Sequence, residues 1–290
     1  MGRLDVSVNG GKRGRHTTGG DPPSKDIKKP KKGELNFLPD YPEGMEGHNL
    51  EGARQVVVQE TMKAKPDALL VKKEMDVTFA LRRQEVVKDK PAINQMVQRW
   101  PALFTESQVY YEFSRVVGKN LRENFFGSLD CYSASLVELF RKKKGLTGQL
   151  LAALLRQTKS SEPTDIRCLC LRGLPVILGD DPSGFFKACS DPADTDVYSQ
   201  TPVGILCMDE ETSPLNPSRV GIILEGNVVL DGLPNLPQAF CVLFGLIYAL
   251  HLDYPKCMKY TFLFVQQVML NLGKSQLAPK IQTLKNQLAE

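Results

Sequence analysis

The stretch that most constrains the fold is residues 220–272, which hold the densest apolar sequence in the chain. Residues 220–224 and 228–230 are β-branched and aliphatic runs, and a Glu-Gly-Asn tripeptide at 225–227 separates them. Two such runs joined by a short turn-forming break are typical of a β-hairpin. We therefore expect two paired strands at the start of this stretch.

The rest of the stretch predicts two helices. Residues 238–252 are too long and too continuous for a typical strand, and Pro237 stands where a helix tolerates proline, in its first turn. After a break, residues 256–272 predict a second apolar helix that ends at Gly273. Crossing a bilayer takes about 20 consecutive apolar residues, and the run in 239–252 is shorter, so we expect no membrane association.

The cysteine content favours a reducing compartment. Seven cysteines are too few for a disulfide scaffold in 290 residues, their number is odd, and several lie in apolar runs. The beginning of the sequence also lacks the apolar segment of a signal peptide. We therefore expect an intracellular protein, nuclear or cytoplasmic, whose 42% hydrophobic residues can build a substantial core.

Residues 1–35 predict a disordered basic arm. They hold nine Lys or Arg against four Asp or Glu and almost no large apolar residue, so ordering them would bury too little surface to offset the lost chain entropy. The arm is a nuclear-import signal, a weak polyanion-binding tail or a simple linker, and its charge slightly favours the nucleus. The lysines of the first two hypotheses are Lys25, Lys28, Lys29, Lys31 and Lys32.

Amphipathic helices are predicted along much of residues 49–144. Their expected ranges are 49–65, 68–87, 91–100, 105–117 and 120–144. Pro101 ends or kinks the third helix, and Thr105-x-x-Gln108 has the pattern of a capping box at the start of the fourth. Basic residues near the ends of the second and fifth helices usually face solvent, but together they would form a basic face for phosphates. They are Arg82, Arg83, Arg141, Lys142, Lys143 and Lys144.

Four segments of the chain resemble a known group of proteins. They are ELNFLPDYPEG (34–44), TFALRRQEVV (78–87), RWPALFTESQVYYEF (99–113) and FFGSLDCYSASLVELFRKKKG (125–145). These segments are similar to a family of vertebrate proteins, many from fish, in which the region follows a sterile alpha motif, as in sterile alpha motif domain-containing protein 3-like proteins. The resemblance covers about residues 34–272, and its most specific signature is RWPALF, beginning at Arg99.

The resemblance implies no catalytic or binding residue, because the family has no assigned activity. No sterile alpha motif precedes the basic arm in this sequence, so no oligomerisation is carried over from that domain.

Two further helical segments are expected in the middle of the chain. Residues 146–159 predict a helix whose apolar stripe is formed by leucines. These leucines are Leu150, Leu151, Leu154 and Leu155. Residues 165–179 are ambiguous between helix and strands, and the length and an N-terminal Thr-Asp cap favour a helix that is disturbed at 173–175.

The remaining segments complete the predicted fold. Asp181-Pro182 predicts a short helical turn that includes Phe185 and Phe186, and residues 190–201 predict an acidic loop. Residues 203–208 predict a strand that joins the hairpin. We therefore expect a predominantly helical α+β protein with an antiparallel sheet of about three strands. The expected folded domain covers residues 36–290, divisible into a helical part at 49–160 and an α+β part at 164–290.

Most of the familiar catalytic motifs are absent from the sequence. The sequence contains no phosphate-binding loop, dinucleotide-binding glycine motif, serine nucleophile elbow or zinc-protease helix. Cys168-x-Cys170 does not have the spacing of a zinc knuckle, and the three histidines are scattered. A nucleophilic Cys241 or Cys257 with His251 as its base is one hypothesis, although a histidine at the end of an apolar helix is more often structural.

Carboxylates near the expected strand ends are the last candidates for chemistry. Asp209, Glu210, Glu225 and Asp231 would hold Mg²⁺ if they converged, whereas turn residues are more often acidic for solubility alone.

We therefore predict a non-catalytic, intracellular interaction module that binds an unknown protein partner and needs no cofactor. The alternative is a nucleic-acid-associated nuclear protein whose basic arm supplies weak affinity, and the second alternative is a metal-dependent hydrolase. An interaction module should expose an apolar patch, a nucleic-acid binder a continuous basic face, and an enzyme a pocket with converging polar groups.

Overall fold

The structure, a computed structural model, describes residues 38–158, 160–190, 195–208, 215–217, 219–273 and 276–289. Most of them form helices, and a four-stranded sheet lies in the C-terminal half. The predicted basic arm lies outside the described residues, as do Asp209 and Glu210. The predominantly helical α+β class is confirmed.

Five α-helices lie between residue 38, where the description of the chain begins, and residue 118. They are α1 (Gly47–Thr61), α2 (Ala68–Val77), α3 (Phe79–Gln84), α4 (Ile93–Arg99) and α5 (Glu106–Val117). A π-helical turn, Glu85–Asp89, continues α3, and a 3₁₀ turn, Pro101–Phe104, follows α4. The Asp67 carboxylate caps α2 by accepting the backbone N–H groups of Leu69 and Leu70.

Two local predictions in this region are wrong. The helix expected over residues 68–87 is divided at Thr78, where φ is −88° and ψ is 5° and the hydroxyl donates to the Glu74 carbonyl in addition to the backbone N–H. Thr105 is the N-cap of α5 but accepts no capping hydrogen bond, and its hydroxyl donates to the Ala102 carbonyl. The predicted break at Pro101 is confirmed, since the 3₁₀ turn begins there.

The middle of the chain forms three helices. They are α6 (Leu121–Lys142), α7 (Gly145–Gln157) and α8 (Pro163–Leu178). The ambiguous residues 165–179 are therefore helical, and Pro175 lies inside α8 without ending it. Gly173 allows α6 and α8 to approach closely, since a Cβ there would lie 2.4 Å from the Phe140 ring.

The sheet contains four strands in the order β1 (Phe186–Cys189), β2 (Val203–Met208), β3 (Arg219–Leu224) and β4 (Asn227–Leu233). The predicted hairpin is confirmed as β3 and β4, which a two-residue turn joins at Glu225 and Gly226. Both turn residues have positive φ, at 50° and 74°, as the tight turns favoured in hairpins require.

The prediction of about three antiparallel strands is wrong in detail. β1 pairs in parallel with β2, so the sheet is mixed. Phe186, which we expected in a helical turn, begins β1, while the 3₁₀ turn ends earlier, at Gly184. A strand of four residues is too short to show a recognisable sequence pattern. The position of β1 depends instead on its pairing with β2 and on the burial of Phe185.

The C-terminal part contains α9 (Leu236–Ala249), α10 (Lys259–Phe264) and α11 (Pro279–Ala289). The buried helix predicted after Pro237 is confirmed as α9, which the Asn235 side chain caps. The second predicted helix is divided into a 3₁₀ turn, Lys256–Met258, the helix α10 and a π-helical turn, Val265–Met269. α11 has no counterpart among the predicted elements.

α9 lies at the centre of the core. Every residue of α9 except Gln238 is buried, and the helix packs against α5, α8 and the sheet. Gly245 allows α5 to approach, since a Cβ there would lie 2.5 Å from Val109 Cγ1. One cluster of buried hydrophobic residues extends from Val57 to Leu288, so α9 shares its core with both ends of the described chain.

Candidate interaction surface

Two arginines of the predicted basic face are buried in the core. Arg82 and Arg83 are 0% and 1% exposed. The Arg82 guanidinium donates to both carboxylate oxygens of Glu112, with Nε–Oε1 at 2.8 Å and Nη2–Oε2 at 2.6 Å. It also lies 4.9 Å from the centroid of the Trp100 ring. The prediction that Arg82 and Arg83 form an exposed basic face is therefore wrong, because their charge is directed into the protein.

Glu112 also pairs with Arg115, and Arg115 in turn pairs with the exposed Asp76, so the buried ion pair is linked to the surface. Arg115 Nη1 donates to Glu112 Oε2 at 2.7 Å, and Arg115 Nε donates to Asp76 Oδ1 at 2.8 Å. Burial raises the pKa of Glu112, but the adjacent Arg82 and Arg115 outweigh it and hold that pKa below the ordinary value. The carboxylate is ionised and structural, since it compensates a buried cation.

A second ionic cluster involves the first two residues of the RWPALF signature. Arg99 donates to Glu85 at 2.6 Å and to Glu51 at 2.8 Å, and the Trp100 indole N–H donates to Glu85 at 2.7 Å. Arg54 adds a hydrogen bond to Glu51 at 2.7 Å. These contacts join α1 and α4 to the π-helical turn, so the signature residues hold three elements together.

The other four residues of the predicted basic face lie where α6 meets α7. Arg141, Lys142 and Lys144 are exposed, and Lys143 is partly buried. Lys142 Nζ lies 3.6 Å from Glu138 Oε2, a weak surface pair. The sequence contains no Asp or Glu between Glu138 and Glu162, so this positive charge is largely uncompensated locally.

Exposed leucines adjoin these cations. Leu146 is 73% exposed and Leu150, one turn further along α7, is 50% exposed. Leu154 continues the row and is partly buried against the core, while Leu151 on the inner face is fully buried. The exposure of these leucines therefore decreases from the N-terminal end of α7 towards its C-terminal end. We call Arg141, Lys142, Lys144, Leu146 and Leu150 the α7 surface.

The packing of α7 explains this exposure. α7 packs against α6 and α8, which cover one side of a helix that has leucines on two sides. Gly148 allows the tight connection from α6, because a Cβ there would lie 2.3 Å from the Lys143 carbonyl oxygen. Leu150, which we expected in the apolar stripe of this helix, is half exposed. The number of leucines in this segment could have predicted the exposure, because one face of a helix cannot bury all of them.

Other large apolar side chains are exposed on the helical region. Met62 and Leu69, at the ends of α1 and α2, are the most exposed of these, at 74% and 80%. Leu69 lies in the first turn of α2, where Asp67 caps the helix. These residues supply a comparison site of similar exposure at another place in the fold.

A cleft of about 400 Å³ lies where the N-terminal ends of α6, α8 and α9 meet. Arg122 and Arg167 line it together with Glu123, Phe126 and several neutral polar residues. Asp130 accepts two hydrogen bonds from Arg167, at 2.6 Å and 2.7 Å, so that cation is compensated. The lining contains no histidine or cysteine that could act as a base or nucleophile.

Residues 50–105 match the helical domain of Sterile alpha motif domain-containing protein 3. No curated protein and no solved structure is significantly similar to the chain. The resemblance expected from the sequence is thus confirmed over this segment, which runs from α1 to the end of the 3₁₀ turn after α4. The segment contains the cluster of Arg99 and Trp100, whereas the α7 surface lies outside it.

His251 does not lie where it could act as the base that activates either proposed cysteine nucleophile. Neither ring nitrogen of His251 has a hydrogen-bond partner among the described residues, so His251 is not paired with Cys241 or Cys257. Burial raises the pKa of both thiols. Burial, with the charges of Arg83 and Lys90, lowers the pKa of His251 to about 4. A thiolate at neutral pH is therefore disfavoured at both positions.

The candidate metal ligands are also separated in the part of the chain that is described. Glu225 accepts the backbone N–H of Ile93 at 2.9 Å, and Asp231 pairs with Arg219. Among the described residues, no group of three or more His, Cys, Asp or Glu is placed to hold a metal ion. Burial raises the pKa of Cys168 and Cys170 to about 12.

No described helix is both long and apolar enough to cross a membrane.

Proposed function

We propose that this chain is a non-catalytic, intracellular protein-interaction module and that the α7 surface binds its partner. The observation that carries the proposal is the exposure of Leu146 and Leu150 beside a largely uncompensated basic cluster. Single exposed leucines are ordinary on a protein surface. Two that are one turn apart and continue into a partly buried third form a contiguous apolar row, which is typical of a binding site.

The size of the row sets the expected strength of binding. Burying a leucine fully is worth about 1.5–3 kcal/mol, and association has to offset several kcal/mol of lost translational and rotational freedom. Two leucines alone therefore cannot give a tight complex. The neighbouring cations would accelerate the encounter and select the partner by charge. We expect a reversible complex of roughly micromolar affinity.

Photo-crosslinking in cells tests the proposal. The full chain would carry a photoreactive amino acid at Leu150 or, as a control of high exposure, at Met62. We expect protein adducts from position 150 that are absent from position 62 and that disappear when Leu146→Ser is added. Identical adducts at both positions, or adducts that Leu146→Ser does not reduce, would show that the α7 surface does not bind a partner.

The intracellular location is part of the same proposal. All seven cysteines lie among the described residues and none of them forms a disulfide, as a reducing compartment requires, and Cys131 on α6 is exposed. Fractionation of cells that produce the full chain tests this, with recovery from nucleus or cytoplasm expected. Recovery of the chain only from the medium would contradict it.

A further inference from the structure

The α7 surface also indicates the chemistry of its partner, on the condition that it binds one as proposed above. We infer that the partner is an acidic amphipathic helix, which places apolar side chains on Leu146 and Leu150 and carboxylates against Arg141, Lys142 and Lys144. The inference rests on the charge around α7, on the N-terminus of α7 and on the direction of the leucine row.

Charge is the first argument. Between Glu138 and Glu162 the sequence contains six Lys or Arg and no acidic residue, and three of the cations at the N-terminal end of α7 are exposed. A basic partner would be repelled at this end. The chain's own residues 1–35 are basic and are therefore a poor occupant. A partner with clustered Asp or Glu has the complementary charge.

The N-terminus of α7 is the second argument. Lys144 occupies the N-cap position, no side chain caps the helix and its first turn contains no acidic residue. The first backbone N–H groups of a helix carry partial positive charge, which here adds to the charge of the lysines. A carboxylate from a partner would cap these N–H groups and neutralise the adjoining lysines at the same time, next to Leu146.

The leucine row is the third argument. Leu146, Leu150 and Leu154 follow one another at intervals of four residues, over about 12 Å of helix. An extended peptide gains affinity from an open strand edge, whereas α7 offers only side chains. A second helix can lay its own residues at i and i+4 along such a row, and two helical turns cover its length. These features favour a helix over an extended segment.

The sequence of the crosslinked adduct at position 150 tests the inference. We expect the adduct to map to a segment with apolar residues three or four apart and an excess of Asp or Glu. A synthetic peptide of that segment should bind the full chain, and its affinity should fall at least about tenfold with Lys142→Glu plus Lys144→Glu. The matched control is Lys63→Glu plus Lys65→Glu, which changes the same charge next to Met62 and should leave the affinity unchanged.

The outcomes separate this inference from the proposed function. Specific protein adducts that map to a neutral or basic segment would overturn the acidic helix and leave the interaction module in place. Adducts to this same chain would identify a second copy as the occupant. Adducts to lipid, with binding to vesicles that contain phosphatidylserine but not to phosphatidylcholine vesicles, would identify an anionic membrane instead. An absence of specific adducts would contradict the proposed function itself.

Discussion

The helices α7 and α9 both contain several leucines, but they lie in opposite environments. They are nearly equal in length, at 13 and 14 residues. α9 packs against α5, α6, α8 and three strands, and all but one of its residues are buried. α7 packs against α6 and α8 and leaves Leu146 and Leu150 in solvent. The comparison shows that a helix becomes core through its neighbours, because apolar composition alone does not supply a cover.

The largest expected loss of stability follows from a substitution at the centre of α9. Phe244→Asp would place an unpaired carboxylate among Phe113, Tyr248 and Phe262, whose ring centroids lie 5.1–6.2 Å from that of Phe244. A buried, unpaired charge costs several kcal/mol against a typical stability of about 5–15 kcal/mol, so we expect loss of cooperative thermal unfolding. Leu150→Asp introduces the same group on α7 and should leave the melting temperature nearly unchanged. Equal melting of the two variants would remove the distinction between the helices.

Adjacent residues of α7 provide the next test. Leu151 is fully buried, so Leu151→Ala should reduce the free energy of unfolding by about 2–5 kcal/mol. Leu150→Ala removes the same atoms from a half-exposed position and should change it by less than about 1 kcal/mol. Urea titration of both variants measures the difference. Similar losses would mean that another part of the chain covers the outer face of α7.

We expect the stability of the folded protein to depend on pH through His251, which lies just beyond the end of α9. Its pKa is lowered from 6.5 to about 4 in the folded protein, by burial and by Arg83 and Lys90. Between these values the unfolded chain binds the proton and the folded chain does not, so stability falls as the pH is lowered from about 6.5 to 4. The total loss is about 3 kcal/mol.

His251→Asn should abolish most of this pH dependence. Asparagine does not titrate and tolerates the positive φ of 53° at this position. Glu112 acts in a lower range, because a carboxylate with a lowered pKa loses its contribution only below its ordinary value of 4.5. Unfolding measured between pH 7 and 5 therefore separates the effect of His251 from that of Glu112. An unchanged slope in His251→Asn would show that folding does not lower the pKa of His251.

The smallest effect on stability is expected at the outer end of α7. Leu146→Lys replaces a side chain that is 73% exposed, so the free energy of unfolding should change by no more than about 0.5 kcal/mol. Differential scanning calorimetry measures this against Leu136→Lys, a fully buried position on α6 that should unfold the protein. A marked destabilisation by Leu146→Lys would mean that Leu146 supports the fold and is not free to bind a partner.

The proposed surface could be only half predicted from the sequence. The cations Arg141, Lys142 and Lys144 follow an amphipathic helix, and their exposure is what the pattern indicates. Leu150 and Leu151 are adjacent leucines, and the helical period cannot tell which neighbour will cover either one. Arg82 and Arg83 show the opposite error. They were expected in solvent, yet they are buried, because Glu112 on another helix compensates Arg82.

The sequence alone determined α9, the hairpin of β3 and β4 and the break at Pro101. Each depends on local chemistry: a long apolar run after a proline, a two-residue turn with glycine, and a ring that lacks an N–H. Only the tertiary structure decided the parallel pairing of β1, the burial of Arg82 and the exposure of Leu146. Each of these depends on how separate elements pack together, with β2, with Glu112 or with the helices on either side of α7, and the periodicity within one element carries no information about such contacts.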